Sequence, residues 1–156
     1  MKAVVQRVSS AEVRIQGNVC AAIRQGYLIL VGFRRGDTPE GVDFIAAKCA
    51  SLRVMQDGTG KMNLSLTDVG GKALVVSQFT LYADASNGNR PSFVDAASAE
   101  EAKPLYNRFV ARLQSLLGSG LVLTGSFGAD MQVTLTNDGP VTILIESPDK
   151  KQPLHE

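Results

Sequence analysis

Two short polar segments of this 156-residue chain carry residue types that do chemistry. The first is Ser77-Gln78-Phe79-Thr80-Leu81, at the end of an apolar run that opens at Ala73. Strand ends are where side chains and free backbone N–H groups meet ligands. Ser77 and Thr80 offer hydroxyls, but an unaided hydroxyl is a weak nucleophile and no base stands nearby in the sequence. The same residues also suit a strand edge with locally satisfied hydroxyls. The second segment is Asn137-Asp138-Gly139-Pro140. These are ordinary turn residues, and a plain hairpin loop accounts for them. A functional reading also exists, because an X-Pro bond takes the cis form at low cost. In a cis Gly-Pro unit successive carbonyls point the same way and make a rigid acceptor pair for an ammonium group.

The residues that usually supply catalysis are scarce. Cys20 and Cys49 are the only thiols and His155 the only imidazole. A zinc site needs about three or four such ligands, so no metal and no cofactor are expected. A Ser-His-Asp device would have to use His155, in a tail that reads as frayed. Any enzyme built here works without the usual histidine base.

The elements that position these segments follow from periodicity. Val4, Gln6, Val8 and Val13 to Ile15 read as strand, Gly17-Asn18 as a turn, and Val19 to Ile23 as the returning strand. Tyr27 to Val31 is wholly apolar, as in a strand covered on both faces. Residues 38–52 switch to helical period, with Thr38 as cap, Pro39 in the first turn, and Val42, Ile45, Ala46, Cys49 and Leu52 on one face. Cys49 therefore reads as core. Asp57 to Gly60 is a turn, Ala73 to Phe79 a strand, and Asp84 to Pro91 a polar loop.

A second helix starts at the capping box Ser98/Glu101. Its apolar stripe is Ala102, Leu105, Tyr106, Phe109, Val110, Leu113, Leu116 and Leu117, and Gly118 ends it. Pro104 implies a kink or a later start. A last hairpin is expected, Met131 to Leu135 out and Val141 to Ile145 back through residues 137–140. Two helices and about seven strands make an α+β fold, mainly antiparallel sheet packed with two helices in a single domain.

Composition is that of a soluble globule, 44% hydrophobic and 20% charged, which argues against disorder, collagen and coiled coil. No apolar run approaches the ~20 residues of a membrane helix. Lys2 and Arg7 arrive before any signal-type apolar core, so a cytoplasmic protein without a targeting segment is expected. Net charge is only +1. Residues 1–36 hold Lys2, Arg7, Arg14, Arg24, Arg34 and Arg35 against Glu12, an excess that suits either a phosphate-facing patch or a set of solvated strand ends.

Taken together, the segments Ser77 to Leu81 and Asn137-Asp138-Gly139-Pro140-Val141-Thr142 resemble the paired signature of the D-aminoacyl-tRNA deacylases. Three further stretches are similar: Met1 to Val8, Gly88-Asn89-Arg90-Pro91-Ser92-Phe93, and Phe127 to Met131. The Gly-Pro form followed by Val-Thr resembles the bacterial and general eukaryotic branch. The likeness spans Met1 to about Glu146, which makes residues 1–147 the domain and 148–156 a flexible tail.

The resemblance implies a carboxylic ester hydrolase that releases a D-amino acid, or mischarged glycine, from the 3′ end of tRNA. It implies a homodimer with the active site at the interface. Gly139-Pro140, cis by analogy, would reach into the partner's site, bind the α-ammonium and exclude an L side chain. Arg7 would buttress that loop, and Met131 would lie on the substrate side. Ser77, Gln78, Phe79 and Thr80 would line the catalytic site, with the N–H groups of Phe79 and Thr80 toward the developing oxyanion. The tRNA 2′-hydroxyl would assist, since an aminoacyl ester is already activated. Thr80 as a covalent nucleophile is the rival mechanism. A non-catalytic RNA-end binder and a hydrolase of free D-amino-acid esters are the alternatives in function.

Overall fold

The computed structural model describes residues 1–148. The expected tail, His155 included, lies almost wholly outside them. A 14-residue strand, β1 (Lys2–Ile15), is the spine of the sheet. It turns through Gln16 and Gly17, both at positive φ, into β2 (Asn18–Ile23). Two consecutive left-handed residues make the twist of a tight antiparallel hairpin. Asn18 pairs with Ile15, so the turn sits one residue earlier than the sequence pattern placed it. β3 (Gly26–Gly32) returns along the first half of β1 and is buried almost throughout, as its apolar run predicts.

Helix α1 (Pro39–Ser51) starts where expected, with the Thr38 side chain accepting from the Gly41 N–H. Val42, Ile45, Ala46 and Cys49 are its buried face. Burial pushes the Cys49 thiol up to about 12, so it is a core residue that stays protonated. A small hairpin of β4 (Met55–Gln56) and β5 (Met62–Leu64) follows. Then β6 (Lys72–Ser77) enters parallel to β3.

Helix α2 (Ala99–Leu117) opens at the Ser98/Glu101 capping box and leads to β7 (Val122–Thr124), parallel to β6. Pro104 does not delay the helix start: it lies within the helix on the exposed side, as does Glu100, whose carbonyl its missing N–H would have met. Leu116 is exposed instead of belonging to the buried stripe. The sheet is thus mainly antiparallel, with two parallel pairs bridged by helix-containing crossovers.

The expected last hairpin is not formed. Residues 132–146 are one strand, β8 (Gln132–Glu146), antiparallel to β1 from Arg14↔Gln132 to Lys2↔Glu146. The two alternating halves both find partners because β1 is long enough to pair with each. Between the pairs Val8↔Asn137 and Gln6↔Thr142, β1 offers only Arg7 against four residues of β8. Asp138 to Val141 therefore bulge from the ladder.

Both helices pack on one face of the sheet over Ala3, Val5, Tyr27, Ile29, Ala73 and Val75. A second, smaller core gathers Val8, Val13, Ile23, Leu28, Leu74 and Val76 on the other side. Arg108 grips Asp43 with two hydrogen bonds of 2.9 and 2.7 Å between the helices, which holds the Asp43 carboxyl below the usual carboxylate range.

The N-terminal cationic excess does not form one patch. Arg7 is buried, Arg14 pairs with Glu12, and Lys2 pairs with Glu146. Arg34 and Arg35 stay together and exposed beyond the end of β3.

Candidate functional site

The site begins where β6 ends. Ser77 is its last residue, opposite Val31 of β3, and the Gln78 N–H donates to the Val31 carbonyl at 2.7 Å. The chain then makes a single 3-10 turn, Phe79–Tyr82, closed by Leu81 N–H to Gln78 O at 3.2 Å. The strand thus stops two residues before the sequence pattern placed its end. Gly32 permits the turn: a Cβ there would lie 2.7 Å from Gln78 O and 3.0 Å from Leu81 Cβ. The N–H groups of Phe79 and Thr80 open the turn, where helical N–H groups have no partner within the helix. The Gln78 side-chain amide donates to the Thr80 hydroxyl. An amide is no base, so this contact orients the hydroxyl without activating it.

A cavity of about 520 Å³ adjoins this turn. That volume is in the range of small-ligand pockets, roughly 300–1,000 Å³. Ser77, Gln78, Phe79 and Met131 all line it, while Thr80 sits on the turn behind Gln78. Small residues the sequence reading did not select also line it: Ala97, then Ala99 and Ala102 at the start of α2, and Gly128 with Ala129. The alanine-rich run Ala96-Ala97-Ser98-Ala99 was the available signal, since small side chains leave room. Phe127 closes one side, held against Tyr106 at 5.4 Å between ring centres. Asp130 is the titratable group of the lining, and it is exposed. Among the described residues no three His, Cys, Asp or Glu side chains gather as a metal site would require.

Gly139, Pro140 and Arg7 form a separate cluster that does not line this cavity. The Gly139-Pro140 peptide bond is cis, and Asp138, Gly139 and Pro140 are all exposed on the bulge of β8. Arg7 lies beneath it, 5% exposed. Its Nε donates to the Asp138 carbonyl at 3.0 Å and its Nη1 to the Val54 carbonyl at 2.7 Å. The Asp138 carboxylate is 3.6 Å away. From above, Asn137 ties the loop to itself: its Oδ1 accepts from the Val141 N–H at 3.1 Å and its Nδ2 donates to Thr142 Oγ1 at 3.0 Å. The bulge is therefore rigid, exposed and anchored on a buried cation.

The cavity thus sits at a strand end on an α+β frame and is lined in part by small residues. A family model described as D-Tyr-tRNA(Tyr) deacylase matches residues 4–146. The chain is 54% identical over 151 residues to a D-aminoacyl-tRNA deacylase of Chlorobaculum parvum, covering 96% of this chain and all of that one. It is 54% identical over 147 residues to one of Akkermansia muciniphila, 94% of this chain and 97% of the relative. A solved structure described as a c-Myc DNA Unwinding Element Binding Protein superposes with TM-score 0.91 at 42% identity, covering 96% of this chain and 100% of that one. Another, of a probable eukaryotic D-amino acid tRNA deacylase, shares the fold with TM-score 0.79 at 16% identity, covering 93% and 98% of the two chains. The chain belongs to the D-aminoacyl-tRNA deacylase family, and so to the hydrolases. Among the described residues no helix is long and apolar enough to cross a membrane.

Proposed function

We propose that this chain hydrolyses the ester between a D-amino acid, or glycine, and the 3′-terminal adenosine of tRNA, and that it rejects the L-aminoacyl ester. The observation that carries the reading is the 520 Å³ cavity at Ser77–Phe79, in a chain belonging to this family. The Phe79 and Thr80 N–H groups stabilise the oxyanion, and the 2′-hydroxyl of the substrate assists the attack. Such donors typically contribute ~10²–10³ in rate. The ester with its α-ammonium is already an activated acyl group, so the barrier reduction asked of the protein is modest. The reaction takes place in the cytoplasm, and no metal or other cofactor takes part in it.

The second half of the site comes from another copy. Gly139 and Pro140 do not line the cavity of their own chain, yet they are held rigid and exposed. A homodimer that brings the bulge of one chain to the cavity of the other unites them. Leu144, 58% exposed, stands beside Val4, which pairs with Leu30, in a row across the helix-free face. This apolar row supports pairing of two sheets. In the dimer the carbonyls of the Gly-Pro unit receive the α-ammonium, and its rigid backbone excludes an L side chain.

Single-turnover hydrolysis of matched D-, L- and glycyl-tRNA, with EDTA present, tests this. Release of D and glycine but not L is the expected result. Equal release of D and L overturns the exclusion mechanism, and no release from any of them, with tRNA bound, makes the chain an RNA-end binder. That second reading is favoured by one observation, that the Thr80 hydroxyl is held by an amide and not by a base.

The rival chemistries separate in the same assay. Thr80→Ala and Asp130→Asn are each expected to keep turnover within about tenfold, because general acid–base groups typically contribute ~10²–10⁴. Replacing Thr80 by its α-hydroxy analogue, which turns the Thr80 N–H into an ester oxygen, is expected to cost ~10²-fold or more. Thr80→Ala that binds substrate without turning it over would instead assign Thr80 as nucleophile.

A further inference from the structure

One exposed feature at the mouth of the cavity is not used by the chemistry above. Phe79 and Phe93 meet edge to face with ring centres 5.1 Å apart and an interplanar angle of 62°. Phe79 is 57% exposed, Phe93 40%, and the neighbouring Val94 70%. Leaving a large apolar side chain in water forgoes the gain of burying it, so three exposed ones close in the fold are unusual at a rim. An edge-to-face pair also leaves ring surface open for a third π system.

The patch is not a loose loop tip. Asp84 and Ser92 exchange two backbone hydrogen bonds of 2.8 Å below it. Arg35 N–H donates to the Asp95 carbonyl at 3.1 Å, and Ala97 N–H to the Phe33 carbonyl at 3.0 Å. These bonds fix Phe93 and Val94 in place and join them to the main sheet. They also set direction. On one side Phe79 lines the cavity. On the other, Arg35 leads into a polar hollow of about 690 Å³ whose walls carry Lys2, Arg34 and Arg35 together with Asp37, Asp95 and Glu146. A path from the cavity thus crosses an aromatic shelf and arrives beside the exposed Arg35.

We infer that the Phe79–Phe93–Val94 shelf is a stacking platform for the unpaired nucleotide next to the terminal adenosine of the tRNA acceptor end, with Arg35 facing the backbone beyond it. The inference rests on the deacylase reading and extends it from the ester to the strand that carries the ester. A substrate whose ester is at its 3′ end enters the cavity 3′ end first, so its penultimate nucleotide must lie on the rim. Single strands are held by aromatic rings for their bases and by a cationic track for their phosphates. The shelf offers the rings, and Arg35 beyond them offers a cation.

The test compares wild type with Phe93→Leu and Phe93→Tyr. Leucine keeps an apolar contact with Phe79 and loses the π face, whereas tyrosine restores it. For each protein kcat/KM is measured on D-aminoacyl-tRNA and on the D-aminoacyl ester of adenosine alone. Binding of a CCA oligonucleotide with 2-aminopurine at the penultimate position is followed by fluorescence.

The expected result is that Phe93→Leu lowers the tRNA-to-adenosine ratio of kcat/KM about tenfold through KM, and that Phe93→Tyr recovers it. The 2-aminopurine is quenched by wild type and Phe93→Tyr and not by Phe93→Leu. Equal losses on both esters overturn the inference, since the ring would then serve the reacting end. An unchanged ratio overturns it too, and so does a loss that accompanies a shift to a smaller species on gel filtration, which would mean that a second copy covers the shelf. If wild type cleaves neither ester, the deacylase reading fails by itself. The quenching then still decides the shelf, standing for it if present and against it if absent.

Discussion

Gly139→Ala is expected to abolish most of the chiral discrimination and to lower the melting temperature. Gly139 sits at φ +133, where an L side chain is strained. A Cβ there would lie 2.8 Å from Val141 Cγ2 and 3.0 Å from both the Val141 backbone nitrogen and Arg7 Nη2. The Val141 backbone cannot yield, because its N–H is held by Asn137. The loop must therefore shift or the guanidinium must leave. Strain of this kind costs about 1–3 kcal/mol, and each kcal/mol lowers the melting temperature by roughly 2–4 °C in a chain of this length. In the proposed dimer a displaced loop would no longer present its carbonyls to the α-ammonium. The D-to-L ratio of single-turnover rates is then expected to fall about tenfold or more, which needs only ~1.4 kcal/mol of lost transition-state preference. Wild-type melting with a wild-type D-to-L ratio would show that the bulge has no part in selection.

Arg7→Met carries the largest expected loss of stability. The guanidinium is almost wholly buried and bonds to two carbonyls, Asp138 O and Val54 O, which belong to segments far apart in sequence. Hydrogen bonds from a charged donor are worth about 1.5–3 kcal/mol each, so losing both is expected to cost about 3 kcal/mol or more in a denaturant titration. Methionine approximates the stem but supplies no donor to either carbonyl. Arg7→Lys is expected to recover only part of the loss, since one ammonium cannot reproduce the rigid fork that reaches both segments. If Arg7→Lys matched wild type, the site would need only a positive charge there. The same variants are expected to lower D-selectivity, because the bulge rests on this side chain.

Local segments were legible where the physical cause is local. Thr38-Pro39 and Ser98/Glu101 start the two helices because a side-chain oxygen serves backbone N–H groups within three residues of it. Tyr27 to Val31 announces a covered strand because every residue is apolar. Cys49 falls on the buried face of α1 by spacing alone. Ser77–Thr80 stood out as polar residues at the end of an apolar strand, a pattern that a plain strand edge also produces, and the family resemblance singled it out.

Other features depend on partners far away in the chain. A run that alternates, turns through Asn-Asp-Gly-Pro and alternates again reads as a hairpin, and only the length of β1 makes it one strand with a bulge. Arg7 is one more cation in an N-terminal excess until the fold buries it under that bulge. The alanines that line the cavity have no chemistry of their own, and their value appears only when the start of α2 and Gln78 border the same cavity. The sequence by itself determined the helices and the strand core, since these follow from period, capping and composition, while the two polar segments were marked by their likeness to a family signature. Tertiary structure decided that the two signature segments stand apart within one chain. Strand pairing and burial over more than a hundred residues place them, and neither is a property of the segments themselves.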